Sequence, residues 1–206
     1  SIGYKTMASS ASSVAIGSLN TASGVGSLAL GPESLAKGQS SIAIGYQSTA
    51  IGFTSTAMGI NGRADADSAI CISSQNSRAC SKKSIVIGEG LISRSMNEIV
   101  LGSYNTDYTA INESGWVLKD RLFTIGNGNG DINERKDALV MLKNAETTLY
   151  GNMNIVGSLN VKGGLHIGTQ SGGFKLPIEK GTAGHFLKLK DDDSGDLEFA
   201  ASSGSS

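Results

Sequence analysis

The sequence predicts an all-β chain whose first half is a parallel β-roll of 14-residue coils, two strands to a coil. Three observations carry this. A small residue, nearly always alanine, returns at every seventh position: Ala8, Ala15, Ala22, Ala29, Ala36, Ala43, Ala50, Ala57 and Ala64, then Cys71. One residue is inserted, and the series resumes at Ala79, Val86, Ser93 and Val100. Glycine follows two residues behind in most units, at Gly17, Gly24, Gly31, Gly38, Gly45, Gly52, Gly59, Gly88 and Gly102. The flanks then double the period. Alternate units are apolar on both sides, and the units between them are polar or mixed, as at Thr21/Ser23 and Arg63/Asp65. Repeats of this regularity define an architecture before any local motif is read.

Seven is also the coiled-coil period, but a heptad seam needs two apolar positions per seven in a helix-compatible background. Here glycine recurs in most units, each costing a helix roughly 1 kcal/mol. Apolar–small–apolar closed by glycine reads instead as a strand of about five residues and a corner. Residues 8–102 thus hold two strands per coil.

Side chains alternate across a strand, so the alanine column and its flanks face opposite ways. Two facing strands leave a flat interior that suits alanine and excludes leucine. The alanines therefore point inward. The pairs Val14/Ile16, Leu28/Leu30, Ile42/Ile44, Ile70/Ile72, Ile85/Ile87 and Ile99/Leu101 point outward, with Thr56/Met58 as the mixed member. At roughly 100 Å² per pair the stripe exceeds the few hundred Å² a monomer normally exposes. Copies of the same stripe around one axis cover it, which makes these twelve residues the expected interface of a cyclic homo-oligomer.

The motifs Ser13-Val14-Ala15-Ile16-Gly17, Ser27-Leu28-Ala29-Leu30-Gly31 and Ser41-Ile42-Ala43-Ile44-Gly45 resemble the head repeats of YadA-like trimeric adhesins. Thr21-Ala22-Ser23-Gly24 and Leu35-Ala36-Lys37-Gly38 resemble the second half of that motif. The resemblance spans residues 1–102 and implies a left-handed parallel β-roll in a homotrimer. Similar head repeats occur in phage and viral fibres, so the host stays open.

Residues 103–146 read as a connector. A loop over 103–114 precedes Arg121-Leu122-Phe123-Thr124-Ile125-Gly126-Asn127-Gly128, a strand closing on a glycine-rich turn, and Ala138-Leu139-Val140-Met141-Leu142-Lys143-Asn144, a second strand. The pair resembles a segment of many fibre and adhesin proteins. Residues 147–180 carry short units ending in glycine: Thr148-Leu149-Tyr150-Gly151, Asn154-Ile155-Val156-Gly157, Leu159-Asn160-Val161-Lys162-Gly163 and Leu165-His166-Ile167-Gly168. Units this short enclose a core only when three chains wind together, and they resemble the intertwined trimeric β-shaft or β-prism of phage tail fibres. Residues 181–206 read as strand, turn and strand, resembling a unit repeated in tail-fibre proteins, with a Ser-rich tail.

Lys and Arg number 17 against 18 Asp and Glu, so no electrostatic case for nucleic acid exists. No run of about 18 apolar residues predicts membrane insertion. No signal peptide opens the chain, but Ser1-Ile2-Gly3 lies inside a repeat, so the sequence reads as a fragment. Cys71 falls in the interior column and Cys80 on an outward flank. Opposite facing argues against an intrachain disulfide. Free thiols favour assembly inside a cell, and cross-linking between subunits is the alternative.

Chemistry is sparse. His166 and His185 have no partner at ligand spacing. Asp191-Asp192-Asp193-Ser194-Gly195-Asp196 lacks the late glutamate of a calcium loop and reads as a turn. Gly126, Gly128 and Gly130 lack dinucleotide-site spacing. Asn112-Glu113-Ser114 is a glycosylation triplet of low specificity. Paired carboxylates of a glycosidase do not stand out, and threonines at 21, 49 and 56 are too irregular for ice binding. No catalytic residue, cofactor or metal is expected.

The expectation is a structural attachment protein of a viral or phage tail fibre or spike, on the virion. The alternative is the passenger of a bacterial trimeric autotransporter at the cell surface, and a glycan-degrading tailspike is a lesser one. Its expected partners are its own copies and a glycan or protein receptor on a host surface. Loops on rigid scaffolds carry binding more often than the scaffold does. Receptor contact is therefore expected at the inserted corner, 74–77, through Gln75 and Asn76, and in the 103–114 loop through Tyr104 and Tyr108.

Overall fold

The computed structural model describes residues 1–130, 134–162, 165–167, 174–175, 185–189 and 197–201. They divide into two compact units, Ser1–Met153 and Asn154–Ser206. The described residues contain strands and no α-helix.

The first unit begins with β1 (Ile2–Tyr4), β2 (Met7–Ala8), β3 (Val14–Ser18), β4 (Thr21–Ala22), β5 (Leu28–Pro32), β6 (Leu35–Ala36), β7 (Ile42–Tyr46) and β8 (Thr49–Ala50). It continues with β9 (Thr56–Ile60), β10 (Arg63–Ala64), β11 (Ile70–Gln75), β12 (Arg78–Ala79), β13 (Ile85–Glu89), β14 (Ile92–Ser93) and β15 (Ile99–Ser103). Odd-numbered strands pair in parallel in one sheet and even-numbered strands in another, which is a parallel β-solenoid. Register follows the repeat: Ala15 lies beside Ala29, Ala29 beside Ala43, and Ala43 beside Ala57. The second sheet aligns Ala8, Ala22, Ala36, Ala50, Ala64 and Ala79 in the same way.

The two sheets are unequal. The polar half-units form strands of only two residues, as at Thr21–Ala22, and not second strands of about five. Corners consume the rest. Each coil needs left-handed backbone at two of them, at Leu19, Glu33, Gln47 and Asn61 along one edge and Ser40, Thr54 and Ser68 along the other. Amides there donate to the preceding coil, as Gln47 N does to Pro32 O at 3.0 Å and Thr54 N to Gln39 O at 2.9 Å. Those bonds hold residues such as Thr54 in a conformation that β-branching disfavours.

Glycine is required where coils nearly touch. Gly45 has φ +125°, and a Cβ there would lie 2.0 Å from the carbonyl oxygen of Gly59. In the other corner column, a Cβ on Gly38 would lie 2.0 Å from the oxygen of Gly52.

The alanines of both columns from Ala15 to Ala79 are fully buried and form one core with Cys71, Val86, Leu91 and Val100. Leu91 corrects the expectation that leucine is excluded: it is fully buried inside the roll. The interior thickens after the insertion, where Val86 and Val100 replace alanine, and the Leu91 side chain fills the widened space over Gly88.

The sheet does not stop at residue 102. After an enlarged coil, β16 (Arg121–Asn127) pairs in parallel with β15, placing Thr124 beside Val100 and Gly126 beside Gly102. Strand β17 (Asp137–Leu142) returns antiparallel, with Val140 beside Thr124, and β18 (Thr147–Leu149) closes the sheet.

Of the four short units expected as strands over 147–168, Thr148 and Leu149 lie in β18, and His166 and Ile167 form β19 (His166–Ile167). Residues 154–162 form no strand, and Val156 is 96% exposed. A segment this short buries nothing on its own. Strand β19 pairs antiparallel with β20 (Phe174–Lys175). The expected terminal strand–turn–strand is the antiparallel pair of β21 (His185–Leu189) and β22 (Leu197–Ala201). The aspartate turn at 191–196, the tail at 202–206 and Gly168 lie outside the described residues.

Candidate functional site

The most extensive surface feature is an apolar ladder on the outer face of the long sheet. Parallel register stacks Val14, Leu28, Ile42, Thr56, Ile70, Ile85 and Ile99 in one column. It stacks Ile16, Leu30, Ile44, Met58, Ile72, Ile87 and Leu101 in the other. None of these side chains is buried, and Val14, Ile72 and Ile87 are each 42% exposed.

The ladder also continues where the repeat has ended. Phe123 and Ile125 stand beside Ile99 and Leu101, and Met141 and Leu139 stand beside them in turn. These four residues were not among the expected interface positions. Their signal is Phe123-Thr124-Ile125-Gly126, apolar–small–apolar–glycine as in the repeats but displaced in phase by the enlarged coil.

The second feature is the irregular end of the roll. The inserted residue is absorbed as a bulge between Ser73 and Gln75, opposite Gly88 and Glu89. Gln75 and Asn76 are exposed, with Asn76 at φ 51°. Ser77 does not protrude as the expected corner required. It is buried, donates to Gly88 O at 2.9 Å and accepts from Leu91 N at 3.1 Å.

The enlarged coil is held by side chains in place of a rung. Asn105, fully buried, accepts from Ile92 N at 2.9 Å and donates to Ile92 O at 3.0 Å. Asp120 accepts from Ile111 N at 2.7 Å and from Asn112 N at 3.1 Å. Tyr108 lies with its ring 4.3 Å from the Arg121 guanidinium, and its hydroxyl accepts from Arg121 N at 3.3 Å. Burial raises its phenol pKa. Tyr104 donates to Glu89 Oε1 at 3.0 Å, and Arg135 sits 5.7 Å over its ring. Both tyrosines are half-buried, so their outer edges alone face solvent.

Beneath this coil lies Glu98, fully buried in a column otherwise of serine and alanine. Its Oε2 accepts from Arg94 N at 2.8 Å and Ser95 N at 3.1 Å, and Thr124 donates to Oε1 at 3.2 Å. Burial pushes its pKa up to about 7, against the pull of the two amides and of Arg121. Nearby, Lys143 Nζ is buried without a hydrogen-bond partner, 5.2 Å over the Trp116 ring, and burial lowers its pKa.

Charges gather along the short-strand face. Asp65 bridges Arg63 at 2.9 Å and Arg78 at 2.5 Å, and Arg94 forks onto Asp107 with both contacts at 2.8 Å. Arg94 lowers the Asp107 pKa. A cleft of about 410 Å³ opens beside this last pair, lined also by Thr109 and Glu113. A second cleft, of about 360 Å³, lies at the β16–β17 turn and is walled by Arg121, Arg135, Lys136 and Tyr150.

Cys71 and Cys80 are both free thiols, and Cys71 is buried, which raises its pKa to about 11. Burial also raises that of Cys80. Asn112 accepts from Ser114 N at 2.9 Å within an exposed turn. Gly126 lies within β16, and Gly128 and Gly130 follow the strand, with Gly128 packed against Tyr104. Among the described residues no three His, Cys, Asp or Glu side chains gather in a metal-sized group.

The fold and its outer ladder define a class: a β-solenoid of two-strand coils with an inward alanine column. The YadA head domain repeat matches this chain in two copies, over residues 1–20 and 22–48, so this part of the chain is an array of YadA-like head repeats. The match indicates an adhesin-like, surface-exposed segment. No curated protein matches the chain.

Proposed function

We propose that the chain is a homotrimeric attachment fibre segment, with no catalytic activity of its own. The observation that carries this reading is the apolar ladder on the outer face of the long sheet. It runs in register from Val14 to Leu101, with Thr56 as its one polar member. A stripe of this length around one axis buries itself most completely against identical stripes. Light scattering and cross-linking test it: three chains per particle support it, and a folded, soluble monomer overturns it.

The segment belongs to a viral or phage tail fibre or spike. The free thiols Cys71 and Cys80 favour this placing, since thiols persist where assembly occurs in a reducing compartment. The match to YadA head repeats favours a second reading, the passenger of a bacterial trimeric autotransporter adhesin. Immunogold labelling of the source material separates them: label on particles supports the first, and label on the bacterial surface the second. In either setting the segment holds or presents a receptor-binding surface at Gln75, Asn76, Tyr104 and Tyr108.

A further inference from the structure

We propose that the cleft at the β16–β17 turn binds an acidic saccharide, a sugar bearing a carboxylate, through Arg135 and Lys136. The proposal rests on the reading of the chain as an attachment protein, and it names the ligand class.

The charge balance of the cleft points to an anion. Arg121 is already spent: it pairs with the buried Asp137 at 3.1 Å and donates to Thr106 Oγ1 at 2.8 Å and Thr106 O at 3.2 Å. Arg135 is anchored by Nη1 alone, on Gly90 O at 2.7 Å and Asn105 O at 3.0 Å. Its remaining N–H groups have no intramolecular acceptor among the described residues. Lys136 is exposed, and its ammonium has no acceptor among them either. Neither cation is closed by a salt bridge among the described residues, Asp107 acts on Arg135 only through space, and both stand over one buried, neutralised ion pair. A guanidinium with a free edge fits a carboxylate as a fork, and the neighbouring ammonium adds a point charge.

The rest of the lining favours a sugar over a bare ion. The cleft, about 360 Å³, falls in the range of small-molecule sites, ~300–1,000 Å³. Asn127 offers an exposed amide. Tyr150, 61% exposed, offers a ring and a hydroxyl at the mouth. Tyr104 holds Arg135 from beneath, which makes it a positioning residue. The cleft beside Arg94 lacks this character. There the guanidinium is closed by both oxygens of Asp107, and Glu113 adds a further negative charge. None of the residues named in the cleft belongs to the apolar ladder, so trimer formation and ligand binding are separable.

The experiment is calorimetric titration of the whole chain with 3′-sialyllactose, with lactose and sodium sulfate as comparisons. Light scattering is run on the same samples. Binding of sialyllactose, none of lactose, and a loss of about tenfold or more in Lys136→Glu and in Tyr150→Ser at unchanged melting temperature are expected. Both substituted residues are exposed, so the variants fold. Equal affinity in wild type and Lys136→Glu overturns the site. Sulfate binding as tightly as sialyllactose overturns the saccharide. A trimer that binds no sialyllactose sinks the cleft and leaves the fibre reading standing, whereas a monomer sinks the fibre reading whatever the titration gives.

Discussion

Cys71 and Gly62 compensate one another inside the roll. Cys71 takes an alanine position with a bulkier side chain, and its Sγ would lie in contact, at 3.5 Å, with a Cβ on Gly62, which would meet Ser73 Cβ at 3.1 Å and Met58 O at 3.2 Å more closely. Gly62 occupies a column that holds Ser34, Ser48 and Ser77 in other coils. One coil thus gains volume on one wall and gives it up on the other. Gly62→Ser should destabilise the protein by roughly 1–3 kcal/mol per chain by overpacking. Adding Cys71→Ala should recover part of that loss in thermal melts, the remainder belonging to Ser73 and Met58. If the double variant is no more stable than Gly62→Ser, the two positions are not coupled.

The hydroxyls of Ser27, Ser41 and Ser55 are buried without a partner, although Ser84 in the same column donates to Ser81 O at 2.7 Å. Ala69 already occupies that column, fully buried. Replacing all three serines with alanine should leave stability unchanged or raise it by about 1 kcal/mol per site, because a buried unsatisfied hydroxyl is unfavourable. A lower melting temperature would show that these hydroxyls find acceptors in solution.

Glu98 makes stability depend on pH. Its folded pKa, about 7, lies above the ordinary 4.5, so the folded state holds its proton more tightly than the unfolded state. The contribution is complete below pH 4.5 and is lost as pH rises through 7. At about 1.4 kcal/mol per pH unit the whole effect is on the order of 3 kcal/mol per chain. Arg121, Lys143, Tyr108 and Asp120 face the same buried region and shape the curve. Glu98→Gln keeps an oxygen for the amides of Arg94 and Ser95 and should flatten the stability profile between pH 4.5 and 7. An unaltered slope in the variant would assign the dependence to another group.

Ala43 tests the inside of the roll directly. It is fully buried mid-way along the alanine core. Ala43→Leu should cost roughly 1–3 kcal/mol per chain, since coils on both sides fix the wall spacing. An unchanged melting temperature would contradict the close-packed interior.

The length of the trimer contact is read from two charges. Ile44→Lys places an ammonium within the repeats, and Phe123→Lys places one beyond them. Both should weaken or dissociate the trimer, because burying unpaired ammonium groups costs several kcal/mol, on the order of 3–5 per chain. Light scattering at graded protein concentration checks it. A trimer unaffected by Phe123→Lys would end the contact near Leu101.

Spacing alone establishes the roll. Ala15, Ala29 and Ala43 recur with glycine two residues on because coils stack at one fixed register and permit no side chain where their backbones touch. The outward direction of Val14 and Ile16 follows from strand alternation, and it too is legible without coordinates. Beyond the repeat, the apolar–small–apolar–glycine pattern returns at Phe123–Gly126, but the fixed spacing that would place it is lost. Phe123 and Ile125 join the ladder because a coil of irregular length returns them to register, and that return depends on Asn105 and Asp120 binding distant amides. Residues far apart in sequence likewise meet at the basic cleft, where Arg135 reaches Gly90 and Asn105. The short second strands, the burial of Leu91 and the carboxyl of Glu98 under Thr124 are packing outcomes. They arise from volume and hydrogen-bond demands between coils, which local sequence does not encode.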